Sequence, residues 1–338
     1  MSNNYTYLSE HDLPGLISDQ AKHVFTVVGA VVLADLFCVF GIGANILNII
    51  VFAKQGTVDT VNISLLSLAI GDLGALTTQL WLNICLNPWF EESDIPFISS
   101  EIQSQSAGFP NRYFTKVTGW VTAFIMFERC LCIALPLKVK SIITRKLAIV
   151  FNVTLFVLLG MTLFPTFYTS YYDWKFVPKR NRTLIGIFYT ENRKEVLEIS
   201  LIITEFLVTF SSFTIVTVCT LVIVIKLIKK AKWRSSASGA SIVSGDNMSG
   251  KDRSVARMVV VIAAIYIISF TPSTALLTTR AFVPELNFIG RYANLNRVIA
   301  VIGMFSEAVA SSINIFVYYN MSSKYRKTFD ESLCRRKQ

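Results

Sequence analysis

The chain has 338 residues, of which 53% are apolar and only 16% are charged, and it carries a net charge of +10. A soluble domain usually has about a quarter charged residues, so the composition argues against a soluble protein and indicates a membrane protein. The only histidines are His11 and His23, both near the N-terminus, and no metal-ligand spacing appears, so we do not expect an enzyme.

The first predicted element is a polar, acidic N-terminal segment, residues 1–23. It lacks a basic start followed by a short apolar stretch, so no cleaved signal peptide is expected. A membrane-spanning helix needs about 20 mostly apolar residues. Seven segments meet this requirement, which predicts an all-α, seven-helix bundle over residues 24–319: 24–53, 61–86, 104–137, 145–168, 197–228, 254–282 and 293–319.

Three features of the remaining chain complete this organisation. Gly108 and Pro110 interrupt the start of the third span, and the Ser- and Gly-rich stretch 235–250 predicts a flexible loop. After the seventh span, within the tail 320–338, a short amphipathic eighth helix is predicted over residues 322–333. Tyr325, Phe329 and Leu333 share one of its faces, a pattern typical of a helix on the membrane surface. Cys334 behind it is a candidate for palmitoylation or a plain thiol.

The charges predict the orientation. With the N-terminus outside, the inner segments hold 19 basic residues against five acids, whereas the outer segments are nearly balanced. Positive charge collects on the cytoplasmic side, which predicts an extracellular N-terminus in the plasma membrane. The basic charge is then a topology signal that suits anionic lipid rather than nucleic acid. Two glycosylation sequons, at Asn4 and Asn181, fall outside in this orientation.

Ionisable side chains within spans are costly and usually functional. The spans contain seven of them: Asp35, Asp72, Lys116, Glu128, Arg129, Glu205 and Glu307. The alternative is that such groups only pair to hold helices together.

Several of these residues stand in strings that resemble the rhodopsin-like family of G-protein-coupled receptors. Glu128-Arg129-Cys130, followed by Pro136-Leu137, resembles its acid-Arg-aromatic motif at the end of the third helix, with a look of invertebrate, particularly molluscan, chemosensory receptors. Asn45 and Asp72 match the polar residues of the first two helices. Pro272 matches the sixth-helix proline, and Asn314 with Tyr318 matches the seventh-helix Asn-Pro-x-x-Tyr element.

The resemblance implies a switch that controls a heterotrimeric G protein. Arg129 pairs with Glu128 at rest, and Asp252 at the start of the sixth helix either latches Arg129 or caps its own helix. Pro272 bends the sixth helix. Phe270, where the family usually has tryptophan, senses the ligand from above, and Tyr266 takes the place of a phenylalanine about one turn and a half below it. Pro136, Leu137, Asn314 and Tyr318 belong to the coupling region in the same reading.

The resemblance also suggests a sodium ion midway through the bundle, because oxygen ligands suit a hard cation. The alternative is a water-filled polar cluster. The proposed ligands are Asp72, Asn45, Thr118, Ser311 and Asn314. No other cofactor is expected.

The chain departs from this family at several positions. Ile315 replaces the seventh-helix proline, and Cys130 replaces the aromatic residue after Arg129. The usual third-helix cysteine is Ser104, and the second outer loop contains no cysteine, so no extracellular disulfide is expected.

The sequence narrows the chemical class of the ligand only by excluding two known classes. A retinal-binding lysine is absent, because Ala308 takes its place, and Asn111 stands where amine receptors have an aspartate. Lys116 and Glu307 either pair with each other or grip a ligand that carries both charges. The pocket candidates are Arg112, Lys116, Glu205, Phe270, Glu307 and the loop residues Lys175, Lys179, Arg180 and Trp174.

The function predicted from the sequence is therefore a receptor for an extracellular chemical cue that activates a heterotrimeric G protein by outward movement of the sixth helix. A neuropeptide receptor of the same fold is the alternative, because the loop charges suit a peptide equally well. A transporter is a more distant one, since no internal repeats or paired broken helices are seen.

Overall fold

The computed structural model describes residues 15–57, 59–134, 142–237, 250–287 and 290–334. Within these ranges, the side chains of residues 179, 198, 199, 201, 202, 230–237, 250–253, 333 and 334 lie outside the description.

Seven long apolar helices run through the part of the chain that the structure describes, as the hydropathy predicts. Their apolar lengths suffice to cross a membrane, and the chain is accordingly a multi-pass membrane protein. The predicted spans agree with the helices to within a few residues at most ends. The helices are α1 (Asp19–Gln55), α2 (Thr60–Leu86), α3 (Ser99–Ala134), α4 (Arg145–Tyr168), α5 (Arg193–Leu201, Ile202–Val208 and Thr209–Ala237), α6 (Gly250–Phe282) and α7 (Ala293–Met321).

Three of these helices contain π-helical stretches, in which the backbone is wound more loosely than in an α-helix. They are Phe25–Ala34 in α1, Ser104–Gly108 in α3 and Ile202–Val208 in α5. The stretch in α3 ends two residues before Pro110, so the irregularity predicted from Gly108 and Pro110 appears as a local unwinding within a continuous helix.

A β-hairpin connects α4 to α5, where the sequence predicts an outer loop. Strand β1 (Ser170–Val177) pairs antiparallel with β2 (Arg182–Tyr189), with Tyr172 opposite Ile187 and Trp174 opposite Ile185. Asn181 adopts the left-handed conformation at the turn, with φ 46°, which asparagine tolerates better than most residues. The end of the bundle that carries this hairpin is called the hairpin end.

The opposite end, called the tail end, carries helix α8 (Ser323–Cys334). Its apolar face was predicted to lie on a membrane surface, but Tyr325 is 1% exposed and packs into the bundle between Phe52 and Tyr318. The Tyr325 hydroxyl donates a hydrogen bond to Asn48 Oδ1 at 2.6 Å, and its burial raises the pKa of this phenol. The buried acceptor on α1 explains why the face turns inward. The side chains of Leu333 and Cys334 lie outside the described part.

The core of the bundle centres on α2 and α3, which are its most buried helices, whereas α1 and α4 expose most of their apolar surface. Small residues allow the close approach of α2 and α3. A Cβ at Gly74 would meet the Phe114 ring at 2.4 Å, and one at Gly71 would meet Thr118 at 2.9 Å. Exposed valine, leucine and phenylalanine side chains on the outer helices suit a lipid environment.

Candidate functional site

At the tail end, the acid-arginine pair of α3 is closed and buried. Arg129 Nη2 donates to Glu128 Oε1 at 2.9 Å, and the side chains are 12% and 3% exposed. The Thr60 hydroxyl at the start of α2 donates to the same Glu128 oxygen. Among the described residues, Glu128 Oε2 and Arg129 Nε have no hydrogen-bond partner. A buried charge pair with unused groups favours a second arrangement in which those groups are satisfied.

The other predicted coupling residues cannot all be placed. Asp252 lies in the first turns of α6, but its side chain is outside the described part, as are Pro136 and Leu137 altogether. The Arg129–Asp252 latch therefore remains a prediction. Tyr318 is buried in the aromatic cluster with Phe52 and Tyr325, and no described residue bonds its hydroxyl.

Midway through the bundle, three helices meet at Asp72. Ser311 Oγ donates to Asp72 Oδ1 at 3.0 Å, and Asn314 Nδ2 donates to Asp72 Oδ2 at 2.9 Å. Asn45 Nδ2 donates to the Ser311 carbonyl at 2.9 Å, which adds α1 to this junction of α2 and α7. The structure thus brings together four of the five residues predicted around a sodium ion.

The donor set fits a small cation in part. Asn314 Oδ1 is buried beside Asp72 and accepts no hydrogen bond from any described residue, which leaves an oxygen available to a cation. Asn45 Oδ1 instead accepts from Asn48 at 3.2 Å, and the Thr118 hydroxyl donates to the Thr115 carbonyl at 2.8 Å. Ser311 and Asn314 are in direct hydrogen-bond contact with Asp72, and these three are the residues that best fit such an ion.

In α6, the predicted aromatic pair lies on the tail-end side of Pro272, which stands inside the helix. The rings of Tyr266 and Phe270 stack with centroids 4.3 Å apart, and both are buried. Gly119 on α3 makes room for this pair, since a Cβ there would lie 2.7 Å from Tyr266 Oη. The aromatic pair of α6 therefore rests directly on α3.

Toward the hairpin end, a crevice opens between α3, α4 and α5. Lys116 Nζ lies 2.8 Å from Glu205 Oε1, and Arg112 Nη1 lies 4.0 Å from the same oxygen. Lys116 is 9% exposed, whereas Arg112 is 47% exposed at the mouth. The remaining lining is a mixture of apolar and hydroxyl side chains that includes Tyr113, Leu163, Thr166, Leu197 and Ser200.

The alternative that Lys116 pairs with Glu307 is wrong. Lys116 binds Glu205 on α5, and Glu307 Oε1 accepts a hydrogen bond from Ser273 Oγ on α6 at 2.6 Å. The physical reason is helix order, because α3 packs closely against α5, whereas α7 packs against α6. Phe270 lies deeper, in the aromatic pair, so Arg112, Lys116 and Glu205 are the pocket candidates that come together.

The hairpin is tied to the start of α3 without a disulfide. Glu101 Oε2 accepts from the Ile187 amide at 2.9 Å, and Glu101 Oε1 lies 2.7 Å from Lys175 Nζ. Ile185 exchanges backbone hydrogen bonds with Pro96 and Ile98, both 2.9 Å long. Cys85 nearby carries a free thiol.

Glu101 is not among the residues predicted from the sequence, and Lys175 is predicted there only as a pocket residue. The available signal was the alternation of aromatic and polar residues before Asn181, which favours a strand. Of the other loop candidates, Trp174 is exposed on β1, Arg180 lies in the turn, and the Lys179 side chain is outside the described part.

Known protein families show what this receptor-like arrangement is similar to. A family model described as serpentine type 7TM GPCR chemoreceptor Srw matches residues 32–336. Among curated proteins no match is found. The match agrees with the seven-helix receptor class and with the chemosensory expectation, whereas the rhodopsin-like and molluscan resemblances are finer than the match and stay predictions. Since the match covers nearly the whole chain, the protein belongs to the serpentine seven-transmembrane chemoreceptor family Srw.

Proposed function

We propose that this receptor binds an extracellular chemical cue at the hairpin end and activates a heterotrimeric G protein at the tail end by outward movement of α6. The observation that carries the proposal is the closed Glu128–Arg129 pair, which lies at the far end of α3 from Lys116. One rigid helix therefore joins the ligand candidates to the coupling candidates.

The orientation belongs to the same proposal. The hairpin end is extracellular, in line with the basic residues that follow the spans at the tail end. The Asn181 sequon supports this orientation, because the residue is exposed at the hairpin turn, where a glycan has room. Asn4 lies outside the described residues. Palmitoylation of Cys334 stays a prediction.

Two further elements of the switch are proposed. Asp252 holds Arg129 at rest, so that α3 and α6 separate when this contact breaks. A sodium ion at Asp72, Ser311 and Asn314 stabilises the resting arrangement by joining α2 to α7. When bound, such an ion supplies a positive charge to the Asp72 carboxylate, whose two oxygens already accept hydrogen bonds from α7.

The test is nucleotide exchange on a panel of G proteins, with the full-length receptor expressed in reporter cells and Asp252→Ala compared with the unchanged chain. Loss of the latch is expected to raise exchange without ligand on at least one G protein. Asp330→Ala is the control, because this aspartate lies on α8, where it accepts only a long, exposed hydrogen bond from Tyr319. A receptor that reaches the surface but never alters exchange, in either form, would contradict the coupling.

A further inference from the structure

The β-hairpin has one covered edge and one open edge. Strand β2 lies on the covered side, where the backbone N–H and C=O of Ile185 bind residues 96–98 and the Ile187 amide donates to Glu101. Both β2 residues therefore point their backbone groups away from β1. Among the described residues the sheet contains only these two strands, so no strand covers the far side of β1.

The open edge consists of the backbone groups of Tyr172, Trp174 and Phe176. Residues directly opposite each other in an antiparallel ladder exchange either two hydrogen bonds or none. Tyr172 and Trp174 lie opposite the two β2 residues whose backbone groups point away, so they direct their own N–H and C=O groups outward. The same alternation places Phe176 with them. Accordingly, the Trp174 amide donates to the Asp173 side chain at 2.7 Å.

The same three residues form an exposed aromatic face. Alternate side chains of a strand share one face of the sheet, and those of Tyr172, Trp174 and Phe176 are 50%, 62% and 57% exposed. All residues of β1 from 171 to 176 are exposed, so the bundle covers neither face of this strand. An exposed, apolar edge strand is suited to pairing with a strand of another chain.

The charges on the opposite face indicate which strand fits. Asp173 and Lys175 lie there, and Asp173 forms no ion pair with any described residue. When two copies of β1 pair antiparallel with Trp174 opposite Trp174, Asp173 of each copy faces Lys175 of the other. Opposite charges directly across a strand pair are favourable. A lysine ammonium has three donors, so Lys175 can bind Glu101 and the aspartate of the other copy together.

The backbone hydrogen bonds match in the same register. Trp174 exchanges its bonds with Trp174 of the other copy, and Tyr172 exchanges its bonds with Phe176, so all three outward-facing residues are used. The Trp174 amide then leaves Asp173, whose carboxylate turns to the lysine of the other copy. Sliding one strand by two residues would oppose like charges, either Asp173 with Asp173 or Lys175 with Lys175. A slide by one residue would place inward-facing groups at the interface.

We propose that a second copy of this chain docks on the open edge of β1, so that two receptors form a twofold-symmetric dimer joined by a four-stranded sheet at the hairpin end. A twofold axis brings the same surface of both chains together, which is what a strand complementary to itself requires. The inference goes beyond the proposed function and does not depend on it, because it uses contacts of the hairpin alone.

The register is tested by disulfide cross-linking of the full-length receptor in liposomes under a mild oxidant, read on a non-reducing gel. Trp174→Cys places two cysteines opposite each other, with Cα atoms about 5.5 Å apart, which is within disulfide range. Phe176→Cys is the matched control. Its side chain lies on the same face and is similarly exposed, but its two copies would be about 13 Å apart along the paired strands. A covalent dimer is expected only with Trp174→Cys.

The ion pairs are tested by energy transfer between differently labelled receptors in the same liposomes. Asp173→Lys places lysines opposite lysines, and Lys175→Asp places aspartates opposite aspartates. Each variant alone is expected to associate with itself about tenfold more weakly than the unchanged chain, since two attractive pairs become repulsive. A mixture of the two variants restores both opposite-charge pairs and is expected to recover the association.

The inference would be overturned by equal cross-linking of Trp174→Cys and Phe176→Cys, or by the lack of a covalent dimer with Trp174→Cys. It would also be overturned if each charge variant associated with itself as strongly as the unchanged chain, or if the mixture did not recover the association. A receptor that forms this dimer but never alters nucleotide exchange would contradict the proposed coupling and leave the dimer standing.

Discussion

Glu128 connects two elements through a single carboxylate oxygen, which accepts from Arg129 on its own helix and from Thr60 on α2. The other oxygen is buried and accepts from no described residue. Such a group is held by few contacts, so removal of its charge releases the arginine. The arginine is nearly buried and must then find another acceptor, and the movement of a neighbouring helix can provide one.

Glu128→Gln is therefore expected to raise nucleotide exchange in the absence of ligand. The substitution keeps the size of the side chain but removes the charge that holds Arg129, an interaction worth about 1.5–3 kcal/mol. Since 1.4 kcal/mol corresponds to a factor of ten, we expect a rise of about tenfold or more at equal surface expression.

The control is Glu331→Gln on α8, where the same chemical change affects only an exposed carboxylate 4.0 Å from Lys327. Exposed pairs of this kind contribute little, so exchange should stay at the level of the unchanged receptor. Equal activity of Glu128→Gln and Glu331→Gln would show that the buried pair does not restrain the switch.

At the scale of elements, the hairpin is held over the bundle by Glu101 and by the backbone bonds of Ile185. The contacts of the Glu101 carboxylate with Lys175 and with the Ile187 amide differ in strength. The Lys175 ion pair is partly exposed, so it contributes little, whereas the hydrogen bond from the Ile187 amide reaches a buried residue. Gly186 permits this approach, because a Cβ there would lie 2.8 Å from Glu101 Oε2.

Glu101→Ala is expected to speed hydrogen exchange of the β2 amides by about tenfold, as the loss of one charge-assisted hydrogen bond implies. Lys175→Gln removes only the exposed ion pair and is expected to change the rates by less than about twofold. Hydrogen–deuterium exchange of the receptor in nanodiscs measures both variants. Equal effects of the two would mean that the ion pair, rather than the amide bond, anchors the hairpin.

At the scale of the whole molecule, the bundle is joined across its middle by polar contacts that start from Asp72. Its carboxylate reaches Ser311 and Asn314 on α7, and Asn45 on α1 binds the Ser311 carbonyl. Helices α1 and α2 each contribute one short polar side chain to this junction, and α7 contributes two. A cation there would stabilise the packing of α2 against α7, and its effect should appear in the stability of the entire receptor.

Replacing potassium by sodium at constant ionic strength is therefore expected to raise the apparent Tm by a few degrees. Sodium that binds the folded receptor would add about 1–2 kcal/mol to the free energy of unfolding. Asp72→Asn should abolish the difference between the two salts. Asp35→Asn is the matched control, because Asp35 is also an acid within a span and accepts from Asn83 at 2.8 Å at a separate place. A sodium effect that survives in Asp72→Asn would contradict the proposed ion site.

The sequence alone determined which segments are long and apolar enough to span a membrane. Hydropathy is a local property of the chain, so seven helices follow from composition. Of the residues matched to the receptor motifs, Asp72 and Asn314 are hydrogen-bonded to each other, and Asn45 binds the Ser311 carbonyl beside them. The expectation for the coupling residues rests on the same motifs, and among those whose side chains the structure describes, Glu128 and Arg129 are in contact.

Only the tertiary structure decided which polar side chains pair with each other. In the sequence, Glu205 and Glu307 both lie within spans and could each pair with Lys116. Only the packing of α3 against α5 selects Glu205 over Glu307. The inward face of α8 depends on a buried acceptor, Asn48, that lies 277 positions from Tyr325. The sequence specifies that a polar group inside a bundle must find a partner, but the order and rotation of the packed helices determine which one it finds.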